Sequence, residues 1–175
     1  MSSSIYPHND LLNTSYHLLE RIERQSNGGN ENGITLDCIG CITVLAATSE
    51  ALLNAIGQKR IENWQERQSP RSKIIQICGA ANLEYNEEAA PYNTIKALRN
   101  VRNQIMHCQP EITDNLEQPA NHIEVLNASW MEYATPEFCR EAFDSIKMFQ
   151  HAAFDGLNIT PGELQSFAIW DFVPD

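Results

Sequence analysis

An all-α bundle of four to five main helices is the fold this sequence predicts, and three observations carry it. Apolar residues recur at three- and four-residue spacing along several long segments. Cap residues and prolines punctuate those segments at Asp10, Thr35, Ser69-Pro70, Asn93 and Thr135-Pro136. No stretch of useful length alternates apolar and polar residues as a strand would, and no internal repeat is visible. With 175 residues, 42% of them hydrophobic and 20% charged, the chain suffices for one packed domain and is not a disordered one. We read residues 1–175 as a single domain with its core over about 10–156, followed by a short helical turn and an apolar tail over 157–175.

Asp10 stands as the cap of a first helix whose Leu11, Leu12, Ser15, Leu18, Leu19 and Ile22 share one face. The glycine- and asparagine-rich stretch over 26–33 has no apolar residue and reads as a flexible loop. Thr35 then caps a long, mostly buried helix from Leu36 to about Ile56, with Asp37 in its first turn. Gly57 either ends this helix or lets it continue with a bend through Ile61 and Trp64. Ser69-Pro70 opens the next one, which turns Ile74, Ile75, Ile77 and Cys78 inward. Asn93 caps a fourth helix running to about Cys108, where Pro110 stops it. Residues 109–134 carry mixed polarity, with one short strand or turn near His122 to Leu126. Thr135-Pro136-Glu137 begins a final long helix with Phe138, Ala142, Phe143, Ile146, Phe149, Ala153 and Phe154 inward, ending near Gly156. Thr160-Pro161-Gly162-Glu163 starts one more short turn.

The five cysteines are odd in number and the chain is too long to need staples, so a reduced, cytoplasmic setting is expected. Cys38 and Cys41 form a lone C-x2-C inside a helix, which suits core packing better than zinc. His8, His17, His122 and His151 stand in no metal-ligand spacing, and no phosphate-cradling glycine motif occurs, so neither a metal nor a cofactor is expected. No basic-then-apolar leader opens the sequence, and no unbroken run approaches the ~18 apolar residues of a membrane span. A membrane partner is not expected.

The informative segment is residues 93–110, NTIKALRNVRNQIMHCQP. At about 100° per residue, Lys96, Asn100, Asn103 and His107 fall on one polar stripe, opposite Leu98, Val101 and Ile105. Arg102 breaks the pattern, because it projects on the apolar arc. An arginine there needs a partner or a path out between helices, since an isolated buried guanidinium is very costly. Glu50, flanked by apolar residues in the middle of the second helix, is the candidate partner in a structural ion pair. His107 has an equally plain account as a solvated or capping residue in a last helical turn.

Arg102-Asn103-Gln104-Ile105-Met106-His107 resembles the R-x4-6-H motif of the HEPN superfamily, in which a polar residue usually follows the arginine. The motif lies on the penultimate major helix of an all-α bundle there, and the element order here is similar over about residues 10–156. The second helix with Glu50 and Asn54 also resembles the acidic, amide-bearing helix common in that family, which makes these two supporting residues. The resemblance implies a homodimer whose motif helices face each other across a cleft. It further implies a metal-independent endoribonuclease acting on RNA rather than DNA, often a toxin or phage-defence component with an antitoxin protein as partner.

Under that reading His107 is the general acid or base on the ribose 2′-hydroxyl or the 5′-oxygen, since imidazole titrates nearest neutral pH. Arg102 stabilises charge building on the phosphorane-like transition state. Asn103 orients the imidazole or donates to phosphate, and products end in a 2′,3′-cyclic phosphate. Lys96, Arg99 and Asn100 extend the phosphate track, although a solvated helix face explains Lys96 as well and a surface pair explains Arg99. The rival reading is a catalytically silent HEPN-like module that binds a partner protein or a nucleotide.

The formal net charge is −11, which argues against tight, nonspecific binding to long nucleic acid. Its distribution is uneven. Residues 59–102 carry 8 basic and 5 acidic side chains, whereas residues 103–175 carry 2 and 12. A locally basic cleft in an acidic protein is therefore consistent with the sequence.

Overall fold

Five helices and two short 3-10 turns, with no strand, make up the described residues of the computed structural model, which are 5–29, 32–107 and 128–164. In chain order they are α1 (Pro7–Asn27), α2 (Ile34–Arg60), α3 (Pro70–Ala81), α4 (Tyr92–His107) and α5 (Pro136–Gly156). The 3-10 turns are Met131–Tyr133 and Pro161–Leu164. The chain is an all-α bundle, as its periodicity predicts. The expected stop at Pro110, the element near His122 to Leu126 and the apolar tail from residue 165 lie outside the described residues.

α2 is the axis of the bundle, and α1, α3, α4 and α5 all pack against it. Its apolar residues lie all round the helix rather than on one stripe, the pattern of an element covered on several sides. Ile42, Leu45, Leu52 and Ile56 of α2 meet Leu19 and Ile22 of α1, Ile77 of α3, Leu98 of α4, and Ile146 and Phe149 of α5 in one core. Cys38, Cys41 and Cys139 are buried in the same core, and the Cys139 thiol donates to the Cys38 carbonyl at 3.7 Å. Among the described residues no cluster of His, Cys, Asp or Glu could hold a metal ion. By length and composition α2 is also the one described helix long and apolar enough to cross a membrane, with a mean hydropathy of 1.6 over its best 18 residues. It contains no unbroken apolar run of that length, because Gly40, Thr43, Thr48 and Ser49 interrupt the run without making it polar.

Three helix starts differ from the expected ones. α1 begins at Pro7, a residue suited to the first helical position, so Asp10 lies inside the first turn rather than at the cap. α2 begins at Ile34 behind Gly33, which takes a left-handed conformation (φ 78°) that a threonine cap would not match. α4 begins at Tyr92, and Asn93 accepts from the Thr94 N–H at 2.7 Å from within the turn. Two starts are as expected. The Ser69 hydroxyl accepts from Ser72 N–H at 3.1 Å, and Thr135 accepts from Phe138 N–H at 3.2 Å.

Gly57 does not end α2. The helix runs on to Arg60, and the glycine admits the Trp64 ring: a Cβ at Gly57 would stand 2.2 Å from Trp64 Cδ2 and Cε2. Beyond α5, Arg60 grips the last turn through Glu163 Oε1 and Oε2 at 2.8 and 2.9 Å, and Thr160 N–H donates to Glu163 Oε2 at 2.8 Å. These contacts hold the Glu163 carboxyl at about 2, below its ordinary value, with the Arg60 bond as the main cause.

Candidate functional site

The sequence of α4 has no acidic residue; its cations are Lys96, Arg99 and Arg102, and its last residue is His107. Thr94, Ile95, Leu98 and Val101 anchor its inner face in the core. Thr94 Oγ1 also donates to Glu141 Oε1 of α5 at 2.8 Å, which ties the start of the helix to α5. The outer positions Lys96, Arg99, Asn100, Gln104 and His107 are exposed, and Asn103 is half-buried.

Along one edge of α4 lies a cavity of about 80 Å³, open to solvent, between α2, the start of α3 and α4. Ala46, Ser49, Glu50 and Leu53 supply its α2 wall, since their three- and four-residue spacing puts them on one face. Ile74, Ile95 and Leu98 complete an apolar floor. Arg71, Lys96, Arg99 and Arg102 stand round it as cations, against the carboxylates of Glu50 and Glu87. Tyr85 and Tyr92 close one end, their rings 5.0 Å apart and edge to face. The Tyr92 hydroxyl donates to the Glu84 carbonyl at 3.1 Å, and burial pushes its phenol well above the usual range.

The cations round the cavity are not equivalent. Glu87 takes Lys96 at 2.9 Å and Arg71 at 3.0 Å, and Lys96 above all holds its carboxyl below the ordinary value. Lys96 is thus tied into a surface pair. Arg102 is half-buried, and its Nη1 donates to Asn103 Oδ1 at 2.9 Å. Neither Arg99 nor Arg102 has a carboxylate partner among the described residues.

The expected Arg102–Glu50 pair does not form. Glu50 is 54% exposed, and its partner is Lys73, whose Nζ lies 3.9 Å from Glu50 Oε1. Lys73 is itself 1% exposed. The helical phase explains this correction, because Glu50 sits where α2 leaves the core towards α3, and the buried cation nearest to it comes from α3. Lys73 was legible in principle: it shares a stripe with Ile77 and Ala81 at four-residue spacing, and the same phase leaves Ile75 outside at 42% exposed.

Five of the eight residues expected at the site meet at this cavity: Lys96, Arg99, Asn100, Arg102 and Glu50. Asn103 adjoins them through Arg102. His107 is not among the cavity's lining residues, standing exposed at the end of α4 about one turn beyond Asn103. Asn54 is not with them either. It faces a separate hollow beside Tyr6, Pro7 and Lys59, so it does not support Arg102. Arg71, Tyr85, Glu87 and Tyr92 escaped the sequence reading because they come from a helix start and a loop, where no periodicity marks a shared face.

Compared with protein-family models, curated proteins and solved structures, the chain matches none. The fold and the site together define a helical bundle with an acid-free helix flanked by a basic-rimmed, apolar-floored cavity.

Proposed function

We propose that this chain is a metal-independent endoribonuclease of HEPN type that works as a homodimer, with the α4 helices of two protomers facing one shared cleft. The single observation that supports the reading is the state of α4. In a chain of net charge −11 this helix has no carboxylate of its own, and its motif arginine is held by an amide rather than by an acid. An arginine so placed keeps its donors oriented and its charge available to a phosphate.

The chemistry follows from the residues. A ribose 2′-hydroxyl attacks the adjacent phosphorus, the bond from its oxygen to phosphorus forms, and the bond from phosphorus to the 5′-oxygen breaks. His107 of one protomer takes the 2′-hydroxyl proton while its symmetry mate gives a proton to the departing 5′-oxygen. Arg102 balances charge on the non-bridging oxygens, and Asn103 positions the guanidinium. Arg99 and Asn100 hold the neighbouring phosphate.

Incubation of the purified protein with RNA in excess EDTA tests the reading. The expected result is cleavage by the wild type and a loss of at least ~100-fold in Arg102→Ala and His107→Ala, the usual contribution of such groups. Intact RNA with the wild type would refute it and leave a non-catalytic binding module, and cleavage by both variants as fast as the wild type's would refute it by taking Arg102 and His107 out of the chemistry.

A further inference from the structure

We propose that the cavity between α2, α3 and α4 is a binding site for a small organic anion, a carboxylate or phosphate monoester with a short apolar body. The proposal does not rest on the nuclease reading. It stands on the division of labour round the cavity. Lys96 and Arg71 share the one carboxylate of Glu87, and Glu50 answers Lys73. That leaves Arg99 and Arg102, one helical turn apart on α4, as two guanidinium groups at one rim that form no ion pair among the described residues. Planar forks of this kind match the paired oxygens of a carboxylate or phosphate.

The floor specifies the rest of the ligand. Leu53, Ile74 and Leu98 are almost fully buried, and Ala46 opens room above them. At about 80 Å³ the cavity is roughly half the size of the ~150 Å³ engineered cavity that admits benzene. It therefore takes a short alkyl chain or the edge of one ring, with the charged head left at the mouth beside the exposed Arg99. Pro70 and Arg71, in the first turn of α3, add the positive end of a helix dipole to the same mouth. An apolar floor under a partly unanswered pair of cations is the pattern of a site built to orient an amphiphilic anion.

Titration of the full chain with four probes, followed by amide chemical shifts, tests the proposal. The probes are hexanoate, hexyl phosphate, 1-hexanol and acetate. Hexanoate or hexyl phosphate is expected to bind saturably and at least tenfold more tightly than 1-hexanol, which lacks the charge, and than acetate, which lacks the body. The shifts should centre on Leu53, Ile74 and Leu98. Arg99→Gln, at an exposed position, should weaken binding tenfold or more. Arg67→Gln, an exposed change of equal charge outside the cavity, should not, and Ala46→Leu should weaken binding by filling the space. The proposal is overturned by equal affinity for hexanoate and 1-hexanol, by absence of saturable binding, by shifts centred elsewhere, or by Arg99→Gln behaving like Arg67→Gln. His107→Ala keeps the two readings apart, because it should lose RNA cleavage and retain the anion.

Discussion

His8 shows how one side chain couples this fold to pH. It lies in the first turn of α1, 1% exposed, with neither ring nitrogen hydrogen-bonded among the described residues. Burial depresses its pKa to about 4, against a weaker opposing pull from Asp10. The unfolded chain therefore takes up a proton near pH 6.5 that the folded chain refuses until about pH 4. The stability His8 confers is complete above pH 6.5 and is lost as pH falls through that window, by roughly 3 kcal/mol. Urea melts at pH 7 and 4.5 should show His8→Phe losing less stability between the two than the wild type; parallel losses would contradict the assignment. The Lys73–Glu50 pair makes a second residue-scale prediction. Glu50→Gln strands a buried ammonium and should cost about 1 to 3 kcal/mol, discounted for the exposed carboxylate, whereas Lys73→Met should be nearly neutral or stabilising. Thermal melts of the two variants check the asymmetry, and equal losses would remove the pair as its cause.

At the scale of elements, glycines divide into those that admit a neighbour and those that do not. A Cβ at Gly57 meets the Trp64 ring at 2.2 Å, whereas one at Gly79 in α3 meets nothing within 4 Å. Gly57→Ala should destabilise by about 1 to 3 kcal/mol through overpacking. Gly79→Ala should instead stabilise by about 0.5 to 1 kcal/mol, since α3 loses only backbone freedom there. Chemical denaturation of both would show opposite shifts, and shifts of the same sign would contradict the packing. The sequence marks Gly57 as a helix end or a bend because its ring partner lies seven residues on, across a turn that no periodicity describes. The inward stripe of α5 was legible, since Ala142, Ile146, Phe149 and Ala153 are all buried. So were the Ser69 and Thr135 caps, because capping is a contact within three residues. The Glu50–Arg102 pair failed for the opposite reason. It joined two helices by composition alone, and which face of α2 meets α4 depends on packing that one-dimensional spacing does not contain.

For the whole molecule, the sum of charges and their placement point in different directions. A net charge of −11 repels a long polyanion, yet the charged side chains of α4, Lys96, Arg99 and Arg102, are all cations. Binding of RNA should therefore be local and modestly dependent on salt. With Arg99, Arg102 and in part Lys96 meeting phosphates, the log–log slope of affinity against salt should be about −1.4 to −2.1 per protomer on single strands. Measured with His107→Ala, a slope steeper than about −6, beyond the roughly −2.8 to −4.2 of two protomers, would indicate a broad basic surface that this distribution does not supply. The central claim is that α4 performs phosphoryl transfer through a 2′-hydroxyl without a metal. Its most direct test is the chemistry of the ends produced in excess EDTA from one RNA and from its copy carrying a single 2′-deoxy sugar at the cleaved position. The account predicts a 2′,3′-cyclic phosphate and a 5′-hydroxyl from the first, no cut at that position in the second, and neither product with His107→Ala. Free 3′-hydroxyl ends, or cleavage of the deoxy-substituted copy at the same place, would contradict it.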